Sequence, residues 1–326
     1  MSEPFVRGTG PRVVALGGGH GLAASLSALR RVTDRLTAVV TVADDGGSSG
    51  RLRQDLGVLP PGDLRMALAA LCEDDEWGRT WSQVVQHRFV GPGGLEGHSL
   101  GNLLIVALWD IAADDPVAGL DWVGRLLKSS GRVLPMSTVP LDIEAQVQHG
   151  DGFVVTVRGQ VAVATTSGRI LDVALIPDRP PACKEAVTAI DQADWVVLGP
   201  GSWFTSVIPH LLVPELADAI VTTEARRAVV LNLQPQVGET SGFTPDAYLR
   251  ALHDQAPGLR IDVVVADPSS VADRATLADA ADQLGADVLM AQVHAPDDLA
   301  THDPELLAAV FGTIMDAPRP AAGSGE

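Results

Sequence analysis

The stretch TVADDGGSSGRLR, residues 41–53, sets two acids at the end of an apolar run, followed by glycines, serines and arginines. Asp44 and Asp45 could hold a Mg²⁺ ion whose other ligands are waters and diphosphate oxygens. Gly46, Gly47, Ser48, Ser49 and Gly50 offer bare backbone N–H and hydroxyl donors to the same oxygens, and Arg51 and Arg53 offer guanidinium forks that match phosphate. The competing reading is a pair of solvated turn acids, one of them capping a helix. A second glycine run, Gly17, Gly18, Gly19 and Gly21 around His20, lets N–H groups approach a phosphate at a helix N-terminus. No Lys-Ser or Lys-Thr follows it, so it is not a Walker A loop. Gly19, Gly21 and Ala24 fit GxGxxA, with Asp44 about twenty residues on, the outline of a dinucleotide fingerprint. A tight strand-to-helix turn would look the same, and His20 would then be an ordinary loop residue.

Three further clusters extend this chemistry. Arg65 follows PPGD, where Asp63 is placed to cap a helix, and joins Arg51 and Arg53 as a candidate phosphate clamp. A micromolar ligand needs about 8 kcal/mol. Charge-assisted bonds contribute roughly 1.5–3 kcal/mol each, so two arginines with glycine donors would suffice. Gly199, Pro200, Gly201 and Ser202 form another nest of donors, with hydroxyls from Ser202, Thr205 and Ser206. Trp203 and Phe204 beside it serve equally as ligand platform or core. Asn232, Gln234 and Glu239, in NLQPQVGET, are candidates for reading a base or sugar. GHSLG, Gly97 to Gly101, fits the GxSxG elbow of serine hydrolases with Ser99 as nucleophile, but no strand precedes it. A helix start capped by His98 or Ser99, with Asn102 facing a ligand or the loops, is the better reading.

Elements that would position these residues alternate along the chain. RVVALGGGHGLAASLSALRR reads as strand, turn and helix, and LTAVVTVADD as a second strand. Residues 63–130 read as several helices, with Gly131 as a C-cap after Lys128. The segment 133–177 turns β-rich, and alternation then resumes through AVVLNL, IDVVVAD and ADVLMAQV. The expected architecture is a doubly wound, Rossmann-like α/β fold with a mostly parallel sheet and a small β-rich excursion near 133–177. Residues 1–316 form one such domain in this reading, with 317–326 a disordered tail. In these folds ligands bind beyond the carboxyl ends of the strands, where all three glycine-rich loops fall.

Composition narrows the partners. The formal net charge of −18 argues against nucleic acid or an anionic membrane as partner. No run approaches the roughly 20 apolar residues of a membrane span, and the N-terminus lacks a secretory apolar region. The only cysteines, Cys72 and Cys183, suit a reducing cytoplasm and form no zinc or disulfide framework.

GGGHGL, TVADDGGSSGRLR, LGVLPPGDLR, GHSLGNLL, GRVLPMS and LGPGSWFTSVIPHLLVPE occur in one order from about Val13 to about Pro304. In them the chain resembles the YvcK-type gluconeogenesis factors, relatives of the CofD phospholactate transferases, in their actinobacterial branch. The resemblance implies a Rossmann-like homodimer that binds a UDP-sugar, notably UDP-N-acetylglucosamine. It also implies a role in cell-envelope precursor supply and cell shape, acting on an unknown protein partner. It supplies no catalytic activity for this branch. The transferase branch acts on a deazaflavin with Mg²⁺ near paired aspartates, the position that Asp44 and Asp45 match. Two departures stand out: His20 replaces the usual threonine of GGGTGL, and Thr301 precedes His302 and Asp303 where an arginine is usual. The expected function is a regulatory UDP-sugar binder. The alternatives are a CofD-like transferase, a serine hydrolase through Ser99, and a nicotinamide dehydrogenase.

Overall fold

A computed structural model describes residues 10–113, 115–150 and 152–317. Residues 318–326 of the expected tail lie outside the described residues. The main sheet contains β1 (Val13–Gly17), β2 (Leu36–Val40), β3 (Gly131–Pro135), β7 (Trp195–Leu198), β8 (Arg226–Val230), β9 (Val263–Ala266) and β10 (Asp287–Met290). Their order is β10-β9-β8-β7-β1-β2-β3, and every neighbouring pair is parallel. The continuous apolar runs of β1, β7 and β9 are buried along their whole length, as strands covered on both faces must be. From β1 the chain moves outward to β2 and β3. It then returns to β7 on the other side of β1 and moves outward the opposite way. The reversal makes the β1–β7 boundary the topological switch point, where ligands of such folds bind.

Helices α1 (Gly19–Leu29), α2 (Gly47–Leu56), α3 (Gly62–Ala70), α4 (Glu76–Gln86), α5 (Leu100–Ile111) and α6 (Pro116–Leu127) occupy the connections between β1 and β3. After the small sheet described below come α8 (Lys184–Asp191), α9 (Pro209–Leu212), α10 (Pro214–Thr222), α11 (Pro245–Gln255), α12 (Arg274–Leu284) and α13 (Pro304–Asp316). α1 packs against α3 and α13, α5 against α6, α8 against α10, and α11 against α12. Among the described residues no helix is long and apolar enough to cross a membrane.

The β-rich excursion is narrower than its composition suggests. VLPMS is not part of it, because β3 is the edge strand of the main sheet, paired with β2 from Leu36↔Gly131 to Val40↔Pro135. The small antiparallel sheet comprises β4 (Asp142–Gln148), β5 (Val154–Arg158) and β6 (Arg169–Ile176), in the order β5-β4-β6. A short helix, α7 (Gln160–Ala164), follows β5 in a stretch that reads as strand. A last hairpin joins β11 (His294–Ala295) to β12 (Asp298–His302).

Two local expectations also change. Gly131 is not a helix cap, since α6 ends at Leu127 and Lys128 itself takes the left-handed cap conformation, φ 52°. GGSSGRLR is not a loop but the start of α2. Its Gly57 closes the helix at φ 69°, with its N–H on the Arg53 carbonyl.

Candidate functional site

A cleft of about 220 Å³ opens where α2, α3 and α5 begin. Asp44, Gly46, Gly47, Ser48, Ser49, Gly62, Asp63, Arg65, Met66, Arg88 and Asn102 line it. The unpaired backbone N–H groups of a helix N-terminus carry partial positive charge, so helix starts lining one cleft favour an anion. Glycine lets the elements close in, since a Cβ on Gly62 would lie 2.7 Å from Asp44 Oδ2 and overlap Ser49 Oγ.

Buried Asn102 organises the floor. Its Nδ2 donates to Ser48 Oγ at 3.0 Å and to Ser49 Oγ at 3.5 Å, and its Oδ1 accepts from Arg65 Nε at 3.1 Å. Ser48 Oγ also meets His98 Nδ1 at 3.0 Å, and burial, followed by the charge of Arg51, lowers the pKa of His98. The Nη groups of Arg65 make no hydrogen bond with the described residues. Arg88, which sequence reasoning missed, adds a second guanidinium, held by the Gly97 carbonyl at 3.0 Å. Arg88 sits in QHRF after α4, a position with no motif to mark it.

Asp44 and Asp63 face these cations. Burial, followed by the charge of Asp44, pushes the Asp63 carboxyl up to about 7, against the lowering effects of the Gly19 N–H and of Arg65. Burial also raises Asp44, against bonds from Gly46 N, 2.9 Å from its Oδ1, and from Ser49. Asp45 is not in the cleft. Its Oδ1 accepts the Val161 N–H at 3.0 Å and so anchors α7. The carboxylates that converge are therefore Asp44 and Asp63, rather than the adjacent pair, and Asp63 does not cap α3, which starts on Pro61. Among the described residues no group of three acid, histidine or cysteine side chains could hold a metal alone. A divalent ion here would fit only as one shared between Asp44, Asp63 and the oxygens of a bound phosphate.

The other predicted arginines have other partners. Arg53 Nη1 donates to the Leu141 carbonyl at 2.9 Å and Nη2 to Asp142 Oδ1 at 2.5 Å, tying α2 to the small sheet. Exposed Arg51 donates to the Glu96 carbonyl at 2.5 Å. Neither lines the cleft.

At the switch point, the glycine loops bind each other and their own side chains. Gly19 N–H is taken by Asp63, whose Oδ2 would lie 2.5 Å from a Cβ on Gly18. Gly21 abuts Pro200 and Gly201. Gly199 and Gly201 adopt positive φ of 72° and 139°. Asn232 is engaged by Gly201, accepting its N–H at 2.8 Å and donating to its carbonyl at 2.9 Å. Ser202 Oγ donates to Gln236 Oε1 at 3.0 Å. The donors of GPGSWFTS face a carboxylate of the protein itself, since Glu239 Oε1 accepts Phe204 N–H and Thr205 N–H at 2.7 Å each. Trp203 and Phe204 are core residues, buried beside Tyr248 and Phe243. His20 stands apart from the cleft, in a neighbouring groove of about 410 Å³ between α1, α3 and α4 that shares Met66 with it.

Burial pushes Glu239 up to about 7 from 4.5. Its folded pKa exceeds the unfolded one, so stability falls as pH rises from 4.5 through 7, by on the order of 3 kcal/mol in total. Glu239→Gln is expected to remove that slope and to be more stable than the parent at pH 8, measured by urea unfolding at pH 5 and 8. An unaltered difference between the two pH values would contradict the assignment.

Ser99 is no nucleophile. It is wholly buried, caps α5 by accepting Asn102 N–H at 3.3 Å, and forms an isolated bridge with Arg88 rather than following a strand. The helix-start reading of GHSLG holds.

Strand order, switch point and helix-start cleft define a doubly wound α/β protein of the Rossmann-like class. The family model described as 2-phospho-L-lactate transferase CofD matches residues 13–297, and the chain belongs to that family. A Mycobacterium tuberculosis relative, provisionally named a gluconeogenesis factor, is 54% identical over 308 residues, covering 93% of this chain and 90% of its own. The gluconeogenesis factor of Halalkalibacterium halodurans is 41% identical over 254 residues, 78% of this chain and 76% of its own. The crystal structure of a UPF0052-family protein from Bacillus halodurans superposes with a TM-score of 0.82 at 33% identity, covering 93% of this chain and 99% of that one.

Proposed function

We propose that this protein is a cytoplasmic regulatory binder of a UDP-sugar, with UDP-N-acetylglucosamine the first candidate, acting on cell-envelope precursor supply and cell shape. The observation that carries the reading is the cleft of helix starts with Arg65, Arg88 and hydroxyl donors, which suits a diphosphate. The groove beyond Met66, lined by His20, Ser27, Ser82 and Gln83 among others, has room and polar edges for the rest of a nucleotide-sugar. A Mg²⁺ ion bridging Asp44, Asp63 and the diphosphate would neutralise phosphate charge. In this reading the protein acts as a homodimer on an unidentified protein of envelope-precursor metabolism. The names of its relatives favour regulation over turnover.

Calorimetric titration with UDP-N-acetylglucosamine, with and without Mg²⁺, tests the reading. Micromolar binding is expected, tighter with Mg²⁺, and no heat in either condition would overturn it. The description of the family model favours a second reading, a transferase acting on a deazaflavin from a nucleotide-activated phospholactate. Mg²⁺-dependent product that disappears in Asp44→Asn would establish that instead.

A further inference from the structure

We propose that the aromatic face shared by α4 and α6 is a docking surface for a short acidic segment of a partner protein, with apolar anchors on Trp77, Trp122 and Leu126 and carboxylates on Arg125 and Lys128. The inference rests on the proposed function only in supposing a protein partner, and it needs nothing from the ligand of the cleft. α6 turns Val117, Leu120, Val123 and Leu127 into the core. Trp122, Arg125 and Leu126 fall on its outer side, where a spacing of four residues makes Trp122 and Leu126 neighbours. α4 buries only Gly78 and Val85. Its first turn leans on α6, with Trp77 Nε1 donating to the Leu126 carbonyl at 3.2 Å. Trp81 follows one turn on, its ring centre 5.6 Å from that of Trp77.

Exposure sets this face apart. Of the six tryptophans, Trp109, Trp195 and Trp203 are buried and Trp81 is partly so. The remaining two, Trp77 at 42% exposed and Trp122 at 55%, share this face with Leu126 at 36%. Tryptophan and arginine are enriched among the residues that carry binding energy at interfaces. The three apolar side chains leave on the order of 300 Å² open, well under half of the ~800 Å² that each partner gives a stable globular pair. That size fits one short segment and falls short of a second copy of the chain.

Charge decides which segment. Acids outnumber lysine and arginine 41 to 23 over the chain. Yet the Arg125 guanidinium lies 4.8 Å from the centre of the Trp122 ring and the Lys128 ammonium 5.2 Å from that of Trp77. Among the described residues neither cation forms an ion pair. The neighbouring acids have other partners. Asp121 is held by Arg132 at 2.8 Å, Asp74 by Arg30 at 2.6 Å and Glu73 by Arg30 at 3.9 Å, while Asp75 caps α4. Of the acids around Trp77, Glu76 stays open. Two cations therefore stand where an apolar anchor would land, and carboxylates flanking that anchor meet them without an internal competitor. A basic segment would be drawn instead to the acidic remainder of the surface.

The test is selection of random peptides displayed on phage against the full chain, followed by titration of the enriched peptides by fluorescence anisotropy. Enriched sequences should combine Asp or Glu with large apolar residues. Trp122→Ala should bind them at least ~30-fold more weakly, the scale of a hot-spot residue, and Trp122→Phe should restore most of the loss. Arg125→Gln/Lys128→Gln should weaken binding by about 2- to 30-fold and flatten its salt dependence. Circular dichroism checks the fold of each variant. No enrichment, enrichment of basic peptides, or equal affinity for Trp122→Ala and the parent would overturn the surface. Binding to phosphatidylglycerol vesicles that Trp122→Ala abolishes would overturn the protein partner in favour of a membrane. Self-association that it abolishes, seen by sedimentation velocity, would overturn it in favour of a second copy. Acidic peptides that bind a chain giving no heat with UDP-N-acetylglucosamine would support this surface and overturn the proposed ligand alone.

Discussion

Gly21→Ala is expected to destabilise the protein by about 3 kcal/mol or more, seen as a fall of roughly 6 °C or more in Tm. A Cβ on Gly21 would overlap the Pro200 carbonyl and lie 2.5 Å from the Gly201 Cα. Those atoms are backbone, so no side chain can swing aside. The loop that would have to yield is itself pinned by Asn232 through both bonds to Gly201. The penalty therefore falls on the seam between β1 and β7 that closes the sheet. Gly93→Ala is the control, since nothing lies within 4 Å of its Cβ position, and it should change stability by less than about 0.5 kcal/mol. Thermal melts of the two variants would decide the matter, and equal midpoints would contradict the close contact.

On the proposed function, Arg65→Ala is expected to weaken UDP-sugar binding by about 10- to 150-fold, the equivalent of one charge-assisted hydrogen bond of roughly 1.5–3 kcal/mol. Asn102 holds the side chain by its Nε, which leaves the two terminal nitrogens of the fork for a ligand. Burial in the cleft, followed by the charge of Arg88, lowers the pKa of Arg65, the environment in which an arriving phosphate gains most from the guanidinium. Arg53→Ala makes the comparison. Its bonds to Leu141 and Asp142 serve the fold, so it should lower stability and leave affinity within about threefold. Calorimetry on both variants separates the roles, and equal losses of affinity would contradict the division.

The sheet was legible because its strands are unbroken apolar runs. VVALG, WVVL and VVVA need cover on both faces, and crossover helices supply it. α2 was not, because glycine and serine disfavour a helix interior. Its stability comes instead from burying Ser48, Ser49 and Leu52 against neighbours distant in sequence. The same limit applies to the site. Residue types in GGSSGRLR announce donors and cations, yet whether Arg53 meets a ligand or Asp142 depends on where residue 142 folds, and spacing does not encode that. Asp45 and Glu239 carry the same lesson, since an acid near glycine-rich backbone suits a metal or a ligand as well as an N–H of its own chain.

All residues lining the cleft lie between Asp44 and Asn102, whereas the switch point joins Gly21 to Gly201. The cleft and the switch point differ in the order in which synthesis delivers them. Every cleft residue has been made before the strands β7 to β10 exist, so the cleft can assemble from contacts of short sequence separation. Closure of the β1–β7 seam is a late, long-range event that bears the larger loop-closure entropy. A nascent chain that stalls before β7 would carry the cleft's full set of residues on an unfinished sheet.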